Sequence, residues 1–188
     1  MKKIVLLVFS LALLITVTAC SGDNNSAKAG GEGNPVEVKA NNQDINPVII
    51  SKNVEKSDYS NMTPFQSIME NNVADLPYVK LGETIQIKFQ DQTTEPGSYE
   101  LIDYILTEEG KMKYKIPEFS RLELKFDHGT ASFVLKENML AYASSDSKDY
   151  EPGAVLRGFR LLCSWDHDIQ ELAFVIRTDA FSENGLTK

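Results

Sequence analysis

Few residues of this 188-residue chain could carry out covalent or metal chemistry. Cys163 lies in Leu161-Leu162-Cys163-Ser164-Trp165, with Arg177 fourteen residues further on and His128 upstream. Thiol, imidazole and guanidinium are groups that a cysteine-based enzyme can use. Strand alternation, however, puts Phe159, Leu161, Cys163 and Trp165 on one apolar face, where a thiol is protonated and inert. A core cysteine is therefore expected. Each histidine stands beside carboxylates in a turn, in Asp127-His128-Gly129-Thr130 and in Asp166-His167-Asp168. If residues 138–153 add no full strand between the two hairpins, both tips emerge at one end. Asp127, His128, Asp166, His167 and Asp168 then form a candidate set for a divalent transition metal. A strand at Met139-Leu140-Ala141-Tyr142 would reverse that parity, and hairpin tips favour polar turn-formers whatever their role. A third cluster, Asp146, Asp149, Tyr150 and Glu151, precedes Pro152-Gly153 and offers oxygen ligands to a hard cation such as calcium. It lacks the EF-hand spacing, so a solvated loop is the plainer expectation. Tyr142, Tyr150 and Arg157 are further candidates for a shallow recognition surface.

Cys163, Arg177 and His128 together resemble the catalytic set of sortases, β-barrel enzymes of the bacterial surface. The Thr-Leu-x-Thr-Cys motif of that family is absent, and His128 is closer to the cysteine than the family places it. Ser145-Asp146-Ser147-Lys148 matches the Ser-x-x-Lys pattern of penicillin-interacting enzymes, without that class's other motifs.

The N-terminus is more specific. Met1-Lys2-Lys3 is basic, Ile4 to Ala19 is a nearly continuous apolar run, and Val17-Thr18-Ala19-Cys20 closes it. As a helix the run measures about 24 Å, short of a hydrocarbon core of roughly 30 Å. Basic start, apolar run and small-residue site are the parts of an export signal. The segment resembles the signal peptide and lipobox of bacterial lipoproteins. That resemblance implies cleavage after residue 19 and a diacylglycerol on Cys20, which holds the chain on the extracytoplasmic face of the cell membrane without a spanning helix. At roughly 0.8 kcal/mol per buried methylene, two acyl chains make such an anchor firm.

Loss of residues 1–19 removes Lys2 and Lys3 and leaves 17 basic against 27 acidic residues, a net charge of -10. Such a surface repels phosphate backbones and anionic headgroups, which excludes nucleic acid as a natural partner. A small cationic ligand or an envelope protein fits better. With Cys20 lipidated, no intramolecular disulfide can form, so the domain must rely on its core.

Ser21 to Asn34 is rich in Gly, Ser, Asn and Ala, and Asn41-Asn42-Gln43-Asp44 repeats the polar theme; such composition does not offset the entropy of ordering. Residues 20–47 are expected to be the lipidated N-terminus and a flexible linker, spanning about 28 Å root-mean-square. Val48-Ile49-Ile50 is either the linker's end or a first edge strand. One short helix is expected at Thr63-Pro64-Phe65-Gln66-Ser67-Ile68-Met69, with Thr63 as N-cap, Pro64 in the first position and Gln66 completing a capping box. It should plug an edge or end of the core, with a lid over a binding site as the alternative.

From Tyr78 the period becomes strand-like. Thr84–Phe89 and Arg121–Phe126 alternate strictly. Ala131–Leu135 pairs with the latter across a turn in which Gly129 supplies positive φ. Tyr99–Leu106 is apolar on both faces and hence central, and turns into Lys111–Lys115. Ala154–Trp165 and Glu171–Thr178 form a long closing hairpin. Seven or eight strands with close turn signals predict an all-β antiparallel sandwich over residues 48–188, with a closed small barrel as competitor. Val79–Ile87 and the closing hairpin resemble immunoglobulin-like domains, without their Cys…Trp…Cys signature. The expected function is a membrane-anchored binding or interaction module that is not an enzyme and has no cofactor. The alternatives are a structural accessory subunit of an envelope complex and a sortase-like cysteine enzyme.

Overall fold

The computed structural model describes residues 36–52, 58–70, 73–90, 94–114, 120–166 and 168–182. The expected signal segment, Cys20 and His167 lie outside them. Ten strands, β1 (Val36–Ala40), β2 (Gln43–Ile45), β3 (Val48–Lys52), β4 (Thr84–Phe89), β5 (Ser98–Leu106), β6 (Ser120–Leu122), β7 (Lys125–Asp127), β8 (Thr130–Val134), β9 (Val155–Trp165) and β10 (Asp168–Thr178), form two five-stranded sheets. The first runs β2-β1-β4-β8-β7 and the second β3-β10-β9-β5-β6, with every ladder antiparallel. The described residues thus form an all-β sandwich with one α-helix, α1 (Thr63–Met69).

Alternation builds the core. In β4 Ile85, Ile87 and Phe89 are buried while Thr84, Gln86 and Lys88 face solvent. Facing them across the sheets are Leu101, Phe159, Leu161, Cys163, Leu172, Phe174 and Ile176. β9 and β10 pair over eleven residues each, from Trp165↔Asp168 to Leu156↔Arg177 and Val155↔Thr178. Among the described residues no helix is long and apolar enough to cross a membrane.

Four expectations need correction. The linker does not extend to residue 47: Val36–Ala40 lies between β2 and β4, with Val36, Val38, Ala40 and Ile45 buried in the core. The polar Asn41-Asn42 that suggested a tether is the tight β1–β2 turn, where Asn41 takes φ 52°. The helix is not capped by Thr63. Met62 holds the cap position without a side-chain bond, and the Thr63 N–H donates to Asn61 Oδ1 at 3.0 Å. Nor does α1 plug an edge or end. It lies on the outward face of the second sheet, where Phe65 and Met69 pack with Ile102, Tyr104, Leu106, Leu156, Ala173 and Val175 in a second apolar layer. Finally, Arg121–Phe126 is not one strand. Leu122, Leu124 and Phe126 do share a face toward the core, but the chain leaves the second sheet after Leu122 and joins the first at Lys125.

Two smaller differences follow from short pairing. Leu106 and Met112 make an isolated bridge where a strand at 111–115 was expected, its residue 115 lying outside the described residues. Met139–Ala143 is a 3-10 helix, started by the Asn138 side chain accepting from the Leu140 N–H. The β8–β9 connection therefore adds no strand. On the opposite flank Asn46-Pro47 carries the chain from β2 in the first sheet to β3 in the second, so one chain crossing joins the layers on each side.

Candidate ligand groove

The crossing at Glu123-Leu124 opens a groove. Between Leu101 and Asp103, β5 is flanked by β9 on one side and β6 on the other. From Ser98 to Glu100 it keeps β9, while β6 has already turned toward the other sheet. The Tyr99 hydroxyl bridges the parting, donating to Leu124 O at 3.3 Å and accepting from Leu124 N–H at 3.4 Å. Phe126 packs against the Tyr99 ring at 5.1 Å. The resulting open groove of ≈ 620 Å³ is lined by Ser98 to Leu101 of β5, Arg121 to Glu123, and Leu162 and Ser164 of β9.

Its polar wall is held from behind. Glu100 accepts from the Tyr59 hydroxyl through one oxygen and pairs with Arg121 Nε at 2.6 Å through the other. Burial, then the Glu100 bond, pushes the Tyr59 phenol above its ordinary pKa. Tyr59 is positioned in turn by Arg160, whose guanidinium lies 5.7 Å from its ring centroid, and by Tyr104, which donates to Tyr59 O at 3.2 Å. Arg160 itself is locked to Glu171 at 2.5 Å beneath the segment before α1. A chain of charge and hydrogen bonds therefore runs from the outer face of the sheet to the groove. Charge-assisted bonds of this kind fix geometry as well as adding energy. What the groove offers is recognition chemistry: a leucine lining, two serine hydroxyls, a guanidinium with one side committed, and the exposed carboxylate of Glu123.

The residues singled out from the sequence stand elsewhere. Both hairpin tips lie at one end of the sandwich: Phe89 donates its N–H to Gly129 O at 3.1 Å, and its ring meets Trp165 at 5.2 Å. His128 there is open to solvent and, among the described residues, bonded to neighbouring Asp127, with φ 45° in a two-residue turn. Asp166 is exposed, Asp168 pairs through its backbone with Trp165, and His167 is outside the described residues. Among the described residues no three His, Cys, Asp or Glu side chains are grouped to hold a metal.

The acidic loop is internally committed. Asp146 caps the 3-10 helix Ser147–Tyr150 by accepting from Lys148 N–H. Asp149 pairs with Lys113 at 2.5 Å and accepts from Ser144, and these donors hold it below the usual carboxylate range. Tyr150 donates to Ser144 O at 2.7 Å, and Glu151 is exposed. Of the three recognition-surface candidates, Tyr142 and Tyr150 do come together, each stacked on Phe181. Arg157 does not join them. It is buried between the sheets, bidentate to Asp103 at 3.0 and 2.5 Å, with Asn138 donating to the same carboxylate. Cys163 is fully buried in the core and its thiol is pushed up to about 12 by burial.

The groove residues left no sequence signal because Ser98, Glu100, Arg121 and Glu123 sit on strand positions that read as an ordinary solvent face. No family model, no curated protein and no solved structure matches the chain.

Proposed function

We propose that this protein is a lipid-anchored extracytoplasmic binding protein whose sandwich recognises its ligand in the groove between β5 and β6. The observation that carries the binding role is the groove itself, an open concavity whose polar wall is fixed by Tyr59, Glu100 and Arg121. Preorganised polar groups beside apolar surface are the usual make-up of a ligand site. The anchoring half rests on the run Ile4–Ala19 and on Val17-Thr18-Ala19-Cys20, which place a modified cysteine sixteen residues before β1.

A second reading, an accessory subunit of an envelope complex, is favoured by the opposite end of the sandwich. There Met139 is 85% exposed and Tyr142 44%, next to the Tyr142–Phe181–Tyr150 stack. Exposed aromatic and methionine side chains are enriched at protein interfaces.

Metabolic labelling with an alkyne fatty acid tests the anchor: label is expected on the wild type and absent from Cys20→Ala. In the same cells a photo-cross-linking residue at Arg121 is expected to capture ligand, and one at Gln86, on the outer face of the first sheet, is not. Capture at Tyr142 alone would favour the accessory role. Label retained in Cys20→Ala would refute the lipoprotein reading.

A further inference from the structure

We infer that the groove is a strand-addition site that takes an extended, basic peptide segment, an inference that rests on the groove being the binding site. The ladder between β5 and β6 stops at Leu101↔Leu122, yet β5 continues to Ser98 with β9 on its other side. The edge of β5 over Ser98–Glu100 thus faces the groove without a strand partner among the described residues. An incoming extended chain can continue the ladder there. Unpaired strand edges are templates for such addition, in which main-chain bonds supply affinity and alternate side chains supply selection.

Charge names the occupant. Every second side chain of an added strand would project to the outward face, where Glu100, Arg121 and Glu123 stand. Glu100 and Arg121 neutralise each other. Glu123 is exposed and in no ion pair among the described residues, so it leaves the wall negative. The chain after residue 19 carries a net charge of -10 as well, and long-range attraction then favours a cationic segment. A second copy of this chain fits the edge poorly, because it would set one Glu123 and one strongly acidic domain against another. Tyr99, held against Leu124 at the groove's floor, leaves apolar surface for the intervening side chains, as does Leu122.

The test uses the full chain in detergent micelles and a fluorescent octapeptide of alternating lysine and valine. Its controls are the glutamate–valine counterpart and a lysine–valine peptide of equal charge, N-methylated at every second amide. The expected result is binding of the unmodified lysine peptide by anisotropy, at least tenfold weaker for the methylated one and undetectable for the glutamate one. Glu123→Lys, at an exposed position that spares the fold, should weaken binding at least tenfold. Equal binding of the methylated peptide would overturn strand addition, and indifference to Glu123→Lys would overturn the charge assignment. Dimerisation of the unliganded chain that the lysine peptide does not displace would assign the edge to self-association and overturn the inference. Silence of all three peptides would also overturn it. In that case capture at Arg121 in cells, together with Cys20 labelling, would still support the proposed function, so the two failures are distinguishable.

Discussion

Arg160 and Glu171 face each other diagonally on adjacent strands, Nε to Oε1 at 2.5 Å, with both side chains 2% exposed on the outward face of the second sheet. The same guanidinium donates to Asp58 O at 2.7 Å and Asn61 O at 3.1 Å. One ion pair therefore pins the chain segment before α1 onto the sheet. Removing one member leaves a buried charge uncompensated, at a cost of about 3–5 kcal/mol, whereas replacing both by apolar residues is often neutral. Arg160→Met or Glu171→Leu alone is expected to lower the denaturation free energy by that amount, and the double variant by clearly less. Urea titrations of the four proteins decide it. Single variants within 1 kcal/mol of wild type would mean that the pair is not insulated from water.

Strand alternation made much of this sandwich legible. It identified β4, β5, β8 and the β9–β10 hairpin, as well as the inward set from Phe159 to Trp165. It could not show that the outward set on β9 and β10 is covered too. Arg160 and Glu171 occupy positions that read as solvent-facing, and they become buried because residues 58–70 and 73–76 fold across them. The break at Glu123-Leu124 was hidden for a related reason: a strand that changes sheets keeps its two-residue period, since Leu122, Leu124 and Phe126 face one core from both layers. The groove exists because of that break. β1 was lost in polar surroundings, its five residues flanked by Gly-rich and Asn-rich stretches whose composition outweighed Val36 and Val38.

The position of β1 changes where the domain must begin. A chain starting at Val48 lacks a strand internal to the first sheet and exposes Ile85, Ile87 and Phe89 along the vacated ladder. Burial of Val36, Val38 and Ile45 contributes roughly 1.5–3 kcal/mol per side chain, together comparable to the whole stability of a small domain. Truncation to residue 48 is expected to abolish cooperative thermal unfolding, and truncation to residue 33 to preserve it. A sharp transition in the shorter chain would show β1 to be dispensable.

Gly158 tests how tightly α1 is seated. A Cβ there would lie 2.7 Å from Leu106 Cδ1 and 2.8 Å from Phe65 Cε1, both side chains buried. Gly158→Ala must push Phe65, and the helix with it, away from the sheet, at a cost of about 1–3 kcal/mol typical of overpacking. Amide exchange should accelerate in residues 63–69 more than in β4. Gly97→Ala is the control, because its Cβ would meet only Ser164 O at 3.7 Å, and it is expected within about 0.5 kcal/mol of wild type. Equal exchange profiles for the two variants would refute tight docking.

Cys163 links the core to pH. Burial raises its thiol from an ordinary 9.0 to about 12, so the folded state holds its proton over a range in which the unfolded chain releases it. The unfolded state then binds fewer protons, and stability falls as pH rises. This contribution is fully present below pH 9 and is lost progressively toward pH 12. At pH 10 the loss is about 1.4 kcal/mol. The Tyr59, Tyr104 and Tyr142 phenols are also raised, from 10.0, by burial for the first two and mainly by the Glu137 bond for Tyr142, so they add their own alkaline loss about one pH unit above that of the thiol. At its onset, up to about pH 9, the decline therefore belongs mainly to the thiol, and between 9 and 10 thiol and phenols contribute comparably. Cys163→Ala should cost about 1–2 kcal/mol at pH 7 through the cavity it leaves, yet lose clearly less stability than the wild type between pH 9 and 10. Thiol-reagent labelling of the native wild type should be slow at pH 8 and accelerate in denaturant. Parallel declines of the two proteins between pH 9 and 10, or rapid native labelling, would place the sulfur within reach of water and reopen a reactive role for it.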